Sequence, residues 1–304
     1  MKVAVIGVGR WGTKIAKEWK LIPGVEAIPT DTNTDATNTL FLTGGFPATA
    51  KTYQQIAADE TIEAANICLP NQLHYPAAKA LLLAGKHVLI EKPMTLTPAE
   101  AKELIIIARR KKLTLCVGHI YRFNNALEKV RDMISKKSFG KIYAVEYVWR
   151  NNEPLYADRD AAEDLAPHFF DILNYLFNEW PEVTGSIGRP CRRKSGDEIT
   201  FIHAKMPSGT IASATLSWHS NDKQRRIEIY GEKISATIEA VSQKVYIHEK
   251  GTTRELDIIP NNTIRDELLH FKSCIENKRK PNNSGGIGLM AVELVNKIER
   301  TKPR

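Results

Sequence analysis

What the sequence lacks narrows the field first. Its 304 residues hold four cysteines, Cys68, Cys116, Cys191 and Cys274, scattered and without metal-ligand spacing. No resident metal is expected. Cys68 and Cys116 sit inside apolar, strand-like runs, which reads as buried free thiols in a reducing cytoplasm. No apolar stretch approaches the ~20 residues of a membrane-spanning helix, so no membrane partner is expected. Met1-Lys2 leads straight into an apolar strand, without the pattern of a secretory leader. Internal repeats and low-complexity segments are missing too. The net charge is +8, yet no recognition helix or aromatic-interleaved basic groove accompanies it. Of the basic clusters, Arg109-Arg110-Lys111-Lys112 and Lys278-Arg279-Lys280 fall at expected helix carboxyl ends, where the helix dipole favours cations. Arg192-Arg193-Lys194 is the third. They read as solvated surface, not as a nucleic-acid footprint, and the positive balance suits an anionic cofactor.

What is present is a soluble, globular composition, 42% hydrophobic and 26% charged, at a length that suits two domains. Val3 to Ile6 is an apolar run of strand length. Gly7-Val8-Gly9-Arg10-Trp11-Gly12 follows at once, and Thr13 to Leu21 has helical spacing. This is G-x-G-x-x-G between a strand and a helix. In such a turn Gly7 permits the tight bend, Gly9 lets backbone approach a pyrophosphate, and Gly12 lets the helix pack close. The pyrophosphate would rest on the helix N-terminus. Asp31 comes after the next strand, Val25 to Ile28, about 20 residues past the glycines, where an acidic side chain accepts from ribose hydroxyls. With no arginine at Thr32 or Asn33, NAD is expected rather than NADP. Asp31 equally suits the closing of the turn Thr30-Asp31-Thr32-Asn33.

Strand–helix alternation continues through strands at Ala64 to Leu69, Lys86 to Ile90 and Leu113 to Val117. Helices are predicted over Tyr75 to Ala84 and Pro98 to Lys112, the second with Thr97 and Glu100 as a capping box. Such alternation implies a doubly wound parallel sheet over residues 1–120. Lys92, in Glu91-Lys92-Pro93, stands at the carboxyl end of a strand of that sheet, where open α/β sheets bind ligands. Pro93 biases Lys92 away from helix. Residues 121–304 are expected to form an α+β domain with a large mixed or antiparallel sheet. A helix over Asn124 to Lys137, a strand from Ile142 and a helix over Asp164 to Phe177 precede strand-rich sequence from Val183 to Ile258. Helices at Ile264 to Glu276 and Ile287 to Arg300 close the chain.

In Asp164-Leu165-Ala166-Pro167-His168, proline suits a first helical turn, so Asp164 reads as the N-cap with His168 one turn in. Residues four apart share a face. The pair can reach one ligand, and a histidine near a helix N-terminus is disfavoured as imidazolium, leaving a neutral ring able to accept a proton. A structural histidine behind an ordinary aspartate cap fits the same stretch. Arg122, Asn124 and Arg150 could bind substrate hydroxyl or phosphate groups, or make hydrogen bonds at the surface or between domains.

The glycine motif, the strand ending Leu69-Pro70-Asn71 with His74, the run from Ala84 to Pro93, and Gly118-His119-Ile120-Tyr121-Arg122-Phe123-Asn124 together resemble the glucose–fructose oxidoreductase/inositol dehydrogenase (Gfo/Idh/MocA) family. Asp164-x-x-x-His168-x-x-Asp171 is similar to that family's second-domain motif. The resemblance runs nearly end to end. It implies an oxidoreductase acting with NAD on a ring hydroxyl or ketone of a sugar, sugar nucleotide or cyclitol, and a homodimer or homotetramer. By the same resemblance, Lys92, His168 and Asp164 are catalytic and bind substrate. Gly7, Gly9, Arg10, Trp11, Gly12, Asp31, Leu69, Pro70, Asn71, His74, Glu91 and Lys92 contact the cofactor. Phe169 and Phe170 are bulkier than the family pattern, which would narrow a pocket. A non-enzymatic NAD-binding regulator and an NAD-dependent glycosidase on the same fold remain alternatives.

Overall fold

The computed structural model describes residues 1–46, 50–192, 194 and 196–299; Arg193 of the third basic cluster and Arg300 of the last predicted helix lie outside the described residues. The chain divides into two compact units, Met1–His119 with Thr263–Val292, and Ile120–Asn262 with the segment that begins at Glu293.

The first unit is built on five parallel strands, β1 (Lys2–Ile6), β2 (Glu26–Thr30), β3 (Ala64–Ile67), β4 (His87–Ile90) and β5 (Leu115–Val117), in the order β2-β1-β3-β4-β5. The order reverses between β1 and β3, and the crevice beyond the carboxyl ends of those strands is where such sheets take ligands. β3 and β5 are buried at every position and β4 at all but His87, as strands covered on both sides must be. The first crossover helix, α1 (Arg10–Lys20), begins three residues earlier than its apolar spacing suggests, with Gly9 as N-cap. Between β2 and β3 lie two helices with no expectation attached to them, α2 (Thr34–Gly44) and α3 (Tyr53–Ala58). α4 (Asn71–Leu83) follows β3 and starts directly after Pro70, four residues before the predicted start at Tyr75. α5 (Pro98–Lys111) has the expected capping box, with Thr97 accepting from Glu100 N and Glu100 accepting from Thr97 N. Further on, α8 (Thr263–Glu276) and α9 (Gly285–Val295) follow the strand-rich half in sequence, yet α8 and residues 285–292 of α9 return to the first unit. The segment between them is tied to β5: Val117 N donates to Asn283 O at 2.8 Å, and Asn283 Nδ2 donates to Val117 O at 2.8 Å.

The second unit opens with a 3₁₀ turn at Ile120–Phe123 and the helix α6 (Asn125–Ser135). Its sheet has eight strands: β6 (Ile142–Arg150), β7 (Glu182–Arg189), β8 (Ile199–Lys205), β9 (Ile211–Ser217), β10 (Gln224–Gly231), β11 (Ser235–Glu239), β12 (Lys244–Glu249) and β13 (Thr252–Glu255). Their order is β13-β12-β11-β10-β6-β9-β8-β7, with β6 and β9 parallel and every other pair antiparallel. The sheet is mixed, as the sequence implies. Its long helix, α7 (Ala161–Phe177), is almost wholly buried, and packs in one core with Val145, Tyr147 and Trp149 of β6, Ile202 of β8 and Leu216 of β9. Phe169 and Phe170 are fully buried in that core, so their bulk fills the interior and does not narrow a pocket.

Candidate active site

The glycine turn is shaped by what a side chain would strike. Gly7 has φ +92°, and a Cβ there would lie 2.6 Å from Cys68 O. At Gly12 a Cβ would lie 1.8 Å from Gly7 O, so α1 packs on the turn only without one. Gly9 faces open space, with nothing within 4 Å of its would-be Cβ, and α1 begins there with no side chain capping its amides. Those bare amides and that open side fit a pyrophosphate. Asp31 is turned into the same loop, its Oδ2 accepting from Val8 N at 2.8 Å and its Oδ1 from Asn33 N at 2.9 Å. It therefore does close its turn, and it also ties β2 to the glycine loop. A carboxylate offers about four lone-pair positions, so acceptor capacity remains for a ribose.

At the end of β4 the side chains divide. Glu91 is buried with its carboxyl against Gly118, where a Cβ would meet Oε2 at 2.7 Å. Burial pushes its carboxyl up to about 7, against the downward pull of the Trp11 indole and the Lys92 cation. The indole stops short of hydrogen-bond geometry, leaving Trp11 Nε1 and Glu91 Oε1 buried without partners. Lys92 follows, and its peptide bond to Pro93 is cis. His74 is buried too, with Nδ1 2.7 Å from Pro93 O and Nε2 2.8 Å from Leu69 O.

In the second unit, the cap of the site helix differs from the sequence reading. Asp160, not Asp164, is the N-cap of α7, its Oδ1 accepting from Glu163 N at 2.8 Å while Glu163 Oε2 accepts from Asp160 N. The signal was in the sequence: Asp160-x-x-Glu163 is a capping-box spacing, and Pro167 sits deeper in the helix. His168 is consequently two turns in, beyond the first turn where the terminal dipole acts. Asp164 and His168 still share one helix face. Asp164 Oδ2 accepts from Trp218 Nε1 at 3.3 Å, and Arg159 Nε lies 3.9 Å from Oδ1. Tyr121 meets the His168 ring edge-on at 5.1 Å, and Trp149 lies 6.2 Å from it. Burial pushes the Tyr121 phenol up to about 12, against the pull of Arg225.

Sequence reasoning singled out none of Tyr121, Trp149, Arg159 and Trp218. The usable signal is an aromatic at the end of each of two strands, Trp149 in β6 and Trp218 just past β9; their parallel pairing sets Trp149 opposite Leu216, two residues before Trp218. Arg122, Asn124 and Arg150 have other partners. Arg122 Nε donates to Asp171 Oδ1 at 2.6 Å and Nη2 to Asn174 Oδ1 at 2.7 Å, all buried. Asn124 caps α6, accepting from Ala126 N and Leu127 N, and donates to Ala240 O. Strand alternation puts Arg150 on the sheet face opposite Trp149, where it pairs with Asp222 at 3.0 Å.

Comparison with known proteins follows the same division. Residues 1–119 match the model of an oxidoreductase family with an NAD-binding Rossmann fold, and residues 127–237 match the GFO/IDH/MocA C-terminal domain. The chain belongs to the Gfo/Idh/MocA family of oxidoreductases. A curated relative, the 1,5-anhydro-D-fructose reductase of Ensifer adhaerens, is 24% identical over 94% of this chain and 93% of its own. An uncharacterized oxidoreductase of Synechocystis sp. is 29% identical, over 64% of this chain and 59% of its own length. Among solved structures, the UDP-N-acetylglucosamine 3-dehydrogenase of Acidithiobacillus ferrooxidans superposes with a TM-score of 0.87 at 23% identity, covering 98% of this chain and 96% of that one. The first unit of this Gfo/Idh/MocA member is thus an NAD-binding domain, and the protein is an oxidoreductase. Among the described residues no cluster of metal ligands occurs, and no helix is long and apolar enough to cross a membrane.

Proposed function

We propose that this protein oxidises a ring hydroxyl, or reduces the matching ketone, of a sugar, sugar nucleotide or cyclitol, using NAD in preference to NADP. The carrying observation is the pairing of Asp164 with the buried His168 on one helix face, in a chain whose first unit places Lys92 two residues past the end of a parallel strand. The printed names of the relatives, an anhydrosugar reductase and a sugar-nucleotide dehydrogenase, support the substrate class. Gly7, Gly9, Gly12 and Asp31 would hold the dinucleotide, whose nicotinamide supplies a hydride acceptor or donor when bound. His168 takes the hydroxyl proton as general base. Lys92 places positive charge beside the oxygen as alkoxide develops. Asp164, held by Trp218, orients the substrate. Asp31 disfavours the 2′-phosphate of NADP by like-charge repulsion.

The test is NADH formation with UDP-N-acetylglucosamine, myo-inositol and anhydrosugar substrates, alongside NAD and NADP titration. His168→Ala should lower turnover about 10²–10⁴-fold, with NAD affinity kept. Wild-type turnover in that variant would remove His168 from the mechanism. Leaving-group release without net NADH would favour a glycosidase, and tighter binding of NADP would overturn the role given to Asp31.

The same reading includes a homodimer or homotetramer. Strand alternation sets Ile187, Phe201 and Ile211, all exposed, on the open face of the eight-stranded sheet, which suits a second copy. A monomer at micromolar concentration in sedimentation would refute it. A reducing, cytoplasmic setting is supported by the buried free thiols Cys116 and Cys274, both raised in pKa by burial.

A further inference from the structure

His74 stands in the first turn of α4, buried, with a backbone carbonyl oxygen on each ring nitrogen. Carbonyl oxygens only accept. A neutral imidazole has one N–H to give, and the doubly protonated ring has two. Pro93 O at 2.7 Å and Leu69 O at 2.8 Å both lie at hydrogen-bond length, and only the doubly protonated ring can donate to both. The first turn of a helix is a poor place for a cation, so the two carbonyls are what would hold the charge. They belong to two different segments. Leu69 follows the end of β3, and Pro93 is the residue after Lys92, past the end of β4. One ring therefore ties together the two chain segments that leave the neighbouring parallel strands.

We propose that His74 is a positioning residue for Lys92: its ring, protonated on both nitrogens, ties the backbone beside Lys92 to the end of β3 and so fixes where the lysine side chain starts. This replaces the cofactor contact that the family resemblance implies for His74, since both of its ring nitrogens face backbone. It rests on the role given to Lys92 under Proposed function.

The experiment compares wild type, His74→Gln, Lys92→Met and the double variant. A glutamine amide can donate to one carbonyl but cannot span both. With UDP-N-acetylglucosamine or myo-inositol as substrate, His74→Gln should lower kcat by about 10- to 100-fold, the scale of a slightly misplaced catalytic group. Its Kd for NAD should stay within about threefold, because the pyrophosphate and ribose contacts are elsewhere. In the Lys92→Met background the His74 change should cost nothing further, since residues acting as a unit are non-additive. An equal loss in both backgrounds, or an NAD affinity falling in step with kcat, would overturn the proposal. Wild-type turnover of Lys92→Met would instead remove the reading on which it rests. Nitrogen NMR of the ¹⁵N-histidine-labelled wild-type protein at neutral pH gives a readout independent of activity and of any variant's folding. Both His74 nitrogens should carry hydrogen, and one bare nitrogen would overturn the doubly protonated bridge.

Discussion

Arg122 separates two uses of a buried cation, and its removal can be worked through from the contacts. Its guanidinium donates to Asp171 Oδ1 at 2.6 Å and Asn174 Oδ1 at 2.7 Å, with the Arg122 and Asp171 side chains 6% and 1% exposed. Arg122→Met keeps most of the volume but leaves Asp171 as a buried carboxylate without its cation. Breaking a buried pair in this way costs about 3–5 kcal/mol, a large part of the ~5–15 kcal/mol that keeps a domain folded. At roughly 2–4 °C per kcal/mol for a domain of this size, Tm should fall by about 6–20 °C. Replacing both members, as Arg122→Met with Asp171→Leu, should recover most of that, because an apolar pair leaves no charge behind. The assay is thermal and urea unfolding of wild type and both variants, with KM measured on the folded fraction. A substrate-binding Arg122 would behave oppositely. An unchanged Tm with a strongly raised KM would refute the structural role of the Arg122–Asp171 pair.

Four further outcomes are expected. Gly12→Ala places a Cβ 1.8 Å from Gly7 O, and overpacking of that kind should cost about 1–3 kcal/mol in urea unfolding; unchanged stability would show that the turn has room for a side chain. Gly9→Ala meets no protein atom, so it should leave Tm unchanged and still weaken NAD; wild-type affinity there would move the pyrophosphate elsewhere. Glu91 has a carboxyl raised from 4.5 to about 7 by burial, so the folded chain keeps a proton that the unfolded chain releases across that interval. Its stability contribution is intact below the lower value and lost as pH rises to the higher, by about 3 kcal/mol at ~1.4 kcal/mol per unit; Glu91→Gln should remove this slope from urea unfolding, and parallel profiles would count against the burial argument. Asp160→Ala should cost about 1 kcal/mol in the same assay as a lost helix cap, and no cost would return the capping role to Asp164.

The two units were legible in the sequence to different degrees, for a physical reason. In the first, function is written in backbone. A turn that admits only glycine at Gly7 and Gly12, a strand that stops just before Glu91-Lys92, and apolar runs covered on both faces all follow from local rules that a linear pattern carries. The unread parts are those whose formation depends on neighbours. α2, with threonines and an asparagine in place of a clear apolar stripe, is stabilised by packing such as that of Leu40 in the core. The return of α8 to the first unit comes from packing far apart in sequence, with Leu268 and Phe271 in one core with Trp19.

The second unit places its candidate groups through side-chain packing, which a linear pattern carries less well. Arg122, Asn124 and Arg150 suit substrate groups by their chemistry, with hydrogen bonding at the surface or between domains as the alternative. Burial decides otherwise: a cation such as Arg122, deep in a core, has to be paired before anything else, and its carboxylate partner Asp171 lay in the very motif that marked His168. The helix cap shows the same thing on a smaller scale. Asp160 and Asp164 both precede the histidine, and proline at 167 favours the later one, but only Asp160 has a glutamate three residues on to complete the box. Moving the helix start four residues back removes the terminal dipole as the reason for a neutral His168. Its surroundings then fall to Tyr121 and Trp149, whose rings close on the imidazole. The residue that does sit in a first helical turn is His74, and there two backbone carbonyls, and not the helix terminus, set what the ring must carry.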